Sequence, residues 1–249
     1  MAIIGIGLVV AASFFGEIAS TIGKYETQHK KESIYTFNFL HFFWGSIFLL
    51  GIGIFIRDSF VFQLASLPFF IVRAILDMAI VFYGARAVRD AERSTFGFLK
   101  TLTIPLLLGV DIILGYTITM QQIAGIGLIA VALLFLFINH GIKKKGSRDV
   151  LITAVLAVAT ISLFKYNITH YNTLEAEQGF MLLYLMAFSF FMAEHYAHEN
   201  PLKFLKKPIF LLQSLSGGIA TAGYSSAYAF APASIIATAQ RSFNVLLSI

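Results

Sequence analysis

Six ionisable side chains, Glu17, Arg73, Asp77, Lys100, Asp111 and Arg241, interrupt stretches that are otherwise apolar. A charge in such a stretch is costly if the stretch lies in lipid. Each is therefore expected to face a bundle interior or a wet cavity, where it can hold an ion, carry a proton or neutralise a neighbour. Arg73 and Asp77 are four positions apart and share a helical face, the spacing of an ion pair. In an antiparallel hairpin turning near Asp90, Asp77 comes level with about residue 103, roughly one turn from Lys100. Arg73, Asp77 and Lys100 form a candidate mid-membrane cluster, readable as a self-neutralising lock or as a gate that binds an amine. Lys100 and Asp111 share a stripe but lie about 16 Å apart along the axis, too far to pair. Glu17 and Asp111, each about a turn and a half from a helix end, either snorkel to the interface or couple transport to protons, because desolvation favours the neutral carboxyl.

Neutral polar groups accompany them. Gln213 and Tyr224 lie in "LLQSLSGGIATAGYSSAYA", residues 211–229, whose Gly217, Gly218, Ala222, Gly223 and Ser226 form a small-residue face for close helix packing or sliding. Tyr83, His41 and Asn38 offer further hydrogen bonds within apolar runs. "AEHYAHEN", residues 193–200, sets His195 and His198 about one turn apart beside Glu194 and Glu199. Its order matches neither H-E-x-x-H nor H-x-x-E-H, and a solvated helix end explains it better than a zinc site. Cysteine is absent, which removes disulfides, thiolate metal sites and Cys nucleophiles.

The elements that must position these groups are membrane helices. Of 249 residues, 58% are hydrophobic and 12% charged, and mean hydropathy is +0.80, far from the soluble globular norm. A hydrocarbon core about 30 Å thick needs about 20 apolar residues per helix. By that measure spans fall near 3–22, 34–56, 67–85, 94–116, 119–139, 149–166, 179–195 and 208–229, and a ninth starts near 235. Residues 1–22 lack a basic leader and contain Glu17, so they read as a retained helix rather than a signal peptide.

The chain also repeats itself. "KYETQH" at 24–29 returns as "KYNITH" at 165–170, an offset of 141 that also carries Tyr83 onto Tyr224 and Lys100 onto Arg241. Lys and Tyr at a helix end suit interfacial anchoring, so the repetition marks ancestry more than a site. Spans one to three map onto six to eight, giving a five-helix unit used twice. The odd number inverts the second copy, the plan of many secondary transporters. Residues 1–141 are then the first repeat and 142–249 the second, which is expected to run to about position 280 and to be truncated here in or after its fourth helix. Thirteen of 18 Lys and Arg lie in or beside the loops after spans one, three, five and seven, against Arg57 and Lys165 on the other side. Positive-inside reasoning puts the "GIKKKGSRD" loop in the cytoplasm and the N-terminus outside.

"STFGFLKTLTIPLLLGVDIILGYTITMQQIAGIGLIAVALLFL", residues 94–136, resembles the EamA family of the drug/metabolite transporter superfamily: a mid-span Pro, "LG" with a polar residue at the helix end, a short turn with Gln and a "G-x-G-L-I" helix. The resemblance implies ten helices in two inverted halves and passage of small metabolites by alternating access. Tyr116 stands where the family usually has Glu, so that carboxylate's role does not carry over. The family is also drawn with both termini in the cytoplasm, opposite to the charge count.

The expectation is an all-α integral membrane protein, in the plasma membrane, that transports a small polar metabolite. Lys100 and Arg241 would meet an anionic group, with Tyr83, Tyr224 and Gln213 for neutral contacts and Arg73, Asp77, Glu17 and Asp111 for gating or proton coupling. No catalytic residue, cofactor, metal or nucleic acid is assigned; the partners are the solute and the bilayer, with a homodimer compatible. The alternatives are an intramembrane metal hydrolase on His195 and His198, or a membrane assembly protein that transports nothing.

Overall fold

The computed structural model describes residues 2–29, 31–56, 60–138 and 145–247. Among them there is no strand, and the chain folds as α1 (Ala2–Gln28), α2 (Ile34–Gly51), α3 (Leu67–Asp90), α4 (Arg93–Thr101), α5 (Thr103–Ile113), α6 (Met120–Ile138), α7 (Ser147–His170), α8 (Leu174–Tyr196), α9 (Pro208–Ala227) and α10 (Ala233–Leu247). Among the described residues six helical stretches are long and apolar enough to cross a membrane: α1, α2, α3, the combined α4–α5, α7 and α8. Large side chains such as Phe55, Leu64, Ile113, Leu128 and Phe135 point outward, as expected of a surface against lipid rather than water.

Local chemistry explains the boundaries. Ser33 caps α2 by accepting from the Thr36 amide at 3.2 Å. The expected span 94–116 is two helices, because Pro105 lacks the N–H that would bond to the Thr101 carbonyl and its ring crowds that turn. Thr101 and Thr103 hydroxyls donate to the Phe98 and Lys100 carbonyls at 2.6 and 2.7 Å around the break. The span expected at 179–195 starts at Leu174, five residues early, with Glu175 and Glu177 in its first turn, where the helix dipole favours negative charge.

Packing brings distant parts of the chain together. α1 lies antiparallel on α9, α3 on α7 and α2 on α8, while α2 also runs parallel to α9, and α10 packs on α1 and the α4–α5 pair. The α2–α9 seam needs glycine: a Cβ at Gly218 would sit 2.5 Å from Trp44 Cβ, and one at Gly217 would sit 2.6 Å from the His41 ring. The small-residue face of α9 is thus a packing surface.

Candidate functional site

Lys100 and Arg241 lie within the α4–α5 stretch and within α10. Lys100 is in the last turn of α4, immediately before the break at Leu102, and Arg241 is about 12 Å into α10 from its start. The two cations lie within electrostatic reach of each other, and Arg241 also feels the phenols of Tyr224 and Tyr228. Among the described residues no ion pair joins either cation to a carboxylate. Lys100 Nζ lies 5.2 Å from the Phe96 ring centroid, and Arg241 Nε is buried without a hydrogen-bond partner. The Tyr224 hydroxyl lies 3.0 Å from both Ser13 Oγ and Asn244 Oδ1, which links α1, α9 and α10 beside the cations. This group of residues has the chemistry to meet an anion: two positive groups from separate helices, with phenol and amide groups beside them.

The expected cluster of Arg73, Asp77 and Lys100 is only half formed. Arg73 Nε lies 3.3 Å from Asp77 Oδ2, but the partners that complete the network come from α7, α8 and the turn between them. Arg73 Nη1 donates to Glu177 Oε1 at 2.8 Å and Nη2 donates to Gln178 Oε1. Glu177 further accepts from Asn167 at 3.1 Å and Asn172 at 2.7 Å, and the guanidinium covers the Phe164 ring at 4.6 Å. One guanidinium thus serves two carboxylates, in a network that ties α3, α7 and α8 together. Lys100 stands apart from it, with Arg241.

Asp111 does not snorkel. It is 2% exposed, and its Oδ2 accepts from the Ser234 amide at 2.7 Å in the first turn of α10, a carboxylate at a positive helix end. Lys165 answers it from the other side of the same turn. Its Nζ donates to the Tyr228 carbonyl and, at 3.2 Å, to that of Ala231, just past the end of α9. Opposite charges thus hold the α9–α10 turn by its two helix ends. Glu17, half-buried on α1, has Ser20 Oγ 3.4 Å from its Oε2.

Four expected residues fall elsewhere. Gln213 is about 16 Å along α9 from Tyr224 and donates to Glu32 at 2.7 Å, near the α1–α2 turn. Tyr83 makes an edge-to-face contact with Phe82 at 5.5 Å, with no contact to Lys100 or Arg241 among the described residues. His195 and His198 are exposed, and among the described residues no three His, Asp or Glu are placed to hold a metal. His198 adopts φ of 55°, which turns the chain so that Glu199 accepts from Ser33 N and Thr36 Oγ1 at 2.9 and 2.6 Å.

Glu177, Glu32 and the capping role of Lys165 were missed in the sequence. For Glu177 the available signal was Asn172, Thr173 and the acidic pair 175/177, a helix-start pattern. A separate cavity of about 540 Å³ opens between Tyr116, Lys165, Thr169, Asn172 and Glu175, on the opposite face of the bundle from the α1–α2 turn. Scans of this chain against protein-family models and against curated proteins found no match.

Proposed function

We propose that the protein is a secondary transporter of small anionic metabolites, built on the drug/metabolite transporter plan of two inverted five-helix repeats and working in a cell membrane. The observation that carries this is the Lys100–Arg241 pair: two like charges held near each other in mid-bundle, with no ion-paired carboxylate among the described residues. Buried like charges repel and invite a counter-charge, and a solute with a carboxylate or phosphate group supplies it. The helix break beside Lys100 adds support, since discontinuous helices border the binding sites of many transporters.

The inverted plan has support from packing register. Ser13 meets Tyr224, and Gly23 meets Gln213, across α1 and α9. An offset of 141 carries these pairs to 154 with 83 and 164 with 72, and α7 and α3 meet in that register, at Thr153 with Gly84 and Phe164 with Arg73. The parallel pairs are more demanding, because there the offset does not cancel. His41 faces Gly217 across α2 and α9, 176 positions on. Exchanging the halves turns that separation into twice 141 less 176, or 106, which is the separation of Met78 from Tyr184 and of Ser66 from Asn172 across α3 and α8. The two repeated hexapeptides also share a local structure: His29 and His170 each place Nδ1 on the carbonyl four residues back, at 2.7 and 2.9 Å, and each ring lies against that Tyr.

Thermal-shift measurement of the purified protein against sets of mono- and dicarboxylates, phosphate esters, neutral polyols and amines tests the substrate class. Anions are expected to raise the melting temperature of the wild type and not of Lys100→Gln. Stabilisation by amines or polyols alone, or equal stabilisation of the variant by anions, would contradict it.

A further inference from the structure

Glu32 lies between α1 and α2 and is 1% exposed, yet among the described residues no cation pairs with it. Its Oε1 accepts from Gln213 Nε2 at 2.7 Å. Its Oε2 is buried with no partner, and so is Gln213 Oε1. These are the four polar atoms of a carboxyl and an amide, one hydrogen bond made and two acceptors left over. An ionised carboxylate cannot satisfy the remaining pair, because both are oxygens with nothing to donate. One proton can: a carboxyl hydroxyl at Oε2 donates to the amide oxygen while the amide nitrogen donates to Oε1, and both orphans are paired at once.

We propose that Glu32 binds a proton that joins its Oε2 to Gln213 Oε1, closing a carboxyl–amide ring that latches the α1–α2 turn onto α9. This stands independently of the transporter reading. Burial and two neighbouring carboxylates favour the protonated form and outweigh the opposing pull of the Gln213 amide N–H. α1 presents Glu26, whose own counter-ion is Lys31 at 3.3 Å. The segment after α8 presents Glu199, held on Ser33 and Thr36 of the α2 start. α9 contributes Gln213 and no charge, and α2 contributes the Phe37 ring, with the His41 ring tilted against it at 4.3 Å. Burial, with the charges of Glu199 and Glu26 added to it, raises the Glu32 carboxyl to about 8. Loss of the proton to bulk water leaves a third carboxylate beside Glu26 and Glu199 and two facing acceptors, so the latch opens. The α2–α9 seam one to two turns further in, where Trp44 packs on Gly218, is the element positioned to respond.

Trp44 is the sole tryptophan and reports on that seam. Its emission in the purified protein, followed from pH 5 to 10, is expected to show one transition near pH 8 that Glu32→Gln abolishes and His41→Gln leaves in place. A second readout does not depend on the fluorophore. The infrared carboxylic-acid band at pH 6 should lose a component in Glu32→Gln, and that component should shift in frequency in Gln213→Leu, where the ring cannot form. Absence of any such component at pH 6, its indifference to Gln213→Leu, or a fluorescence transition that follows His41 instead of Glu32, would overturn the proposal.

Discussion

Arg73 and Glu177 are 5% and 0% exposed at their side chains, so neither can fall back on water if the other is removed. Arg73→Met is expected to destabilise the protein by about 3–5 kcal/mol in detergent unfolding, because it strands a buried carboxylate. Arg73→Met with Glu177→Gln should recover most of that loss, and additive losses would show that the two do not form one unit. Glu32 sets a pH dependence of the opposite sign to ordinary carboxylates. Its folded-state value near 8 exceeds the 4.5 of an unperturbed glutamate, so its stabilising contribution is complete below about 4.5 and is lost as pH rises toward 8. Stability measured at pH 5 and pH 8.5 should therefore fall more for the wild type than for Glu32→Gln. Lys24 and Lys165 show why such roles are hard to read from sequence. They occupy the same place in a repeated hexapeptide, yet Lys24 is exposed and Lys165 is buried against the α9–α10 turn. The difference lies in a turn more than 60 positions away in the chain.

Helix positions were legible wherever apolar length was the signal. The start of α8 was not, because Glu175 and Glu177 resemble a loop until the helix dipole and their partners across the bundle are known. That five-residue difference concealed the partner of Arg73. Pro105 was visible in the sequence, but that it divides one span into α4 and α5 beside Lys100 was not, since prolines in membrane helices often only kink them. If the break serves the site, Pro105→Ala should hold or raise the melting temperature while reducing solute flux. A simultaneous fall in both would make the proline structural. Gly218→Ala tests the α2–α9 seam: a Cβ placed 2.5 Å from that of Trp44 should cost about 1–3 kcal/mol of stability through overpacking.

Across the whole molecule, composition and charge placement fixed the membrane class, and the register of paired helices adds to the sequence repeat a second line of support for an inverted duplication. The basic loops Lys31, Arg86, Lys145, Arg148, Lys203, Lys206 and Lys207 alternate with loops nearly free of cations. A cysteine at Lys145 should resist an impermeant thiol reagent in intact cells and react after permeabilisation. Ready labelling of intact cells would reverse the orientation. The sequence put Lys100 and Arg241 at one anionic group through the repeat alone, and the packing of α10 against α4 and α5 gives their meeting a structural route. Uptake of small anions into proteoliposomes, comparing the wild type with Arg241→Gln at matched folded yield, addresses that meeting directly. The twin-cation site predicts saturable anion uptake by the wild type and its loss, by roughly 10-fold or more, in the variant. Undiminished uptake by Arg241→Gln, or no uptake of any anion by the wild type, would contradict it.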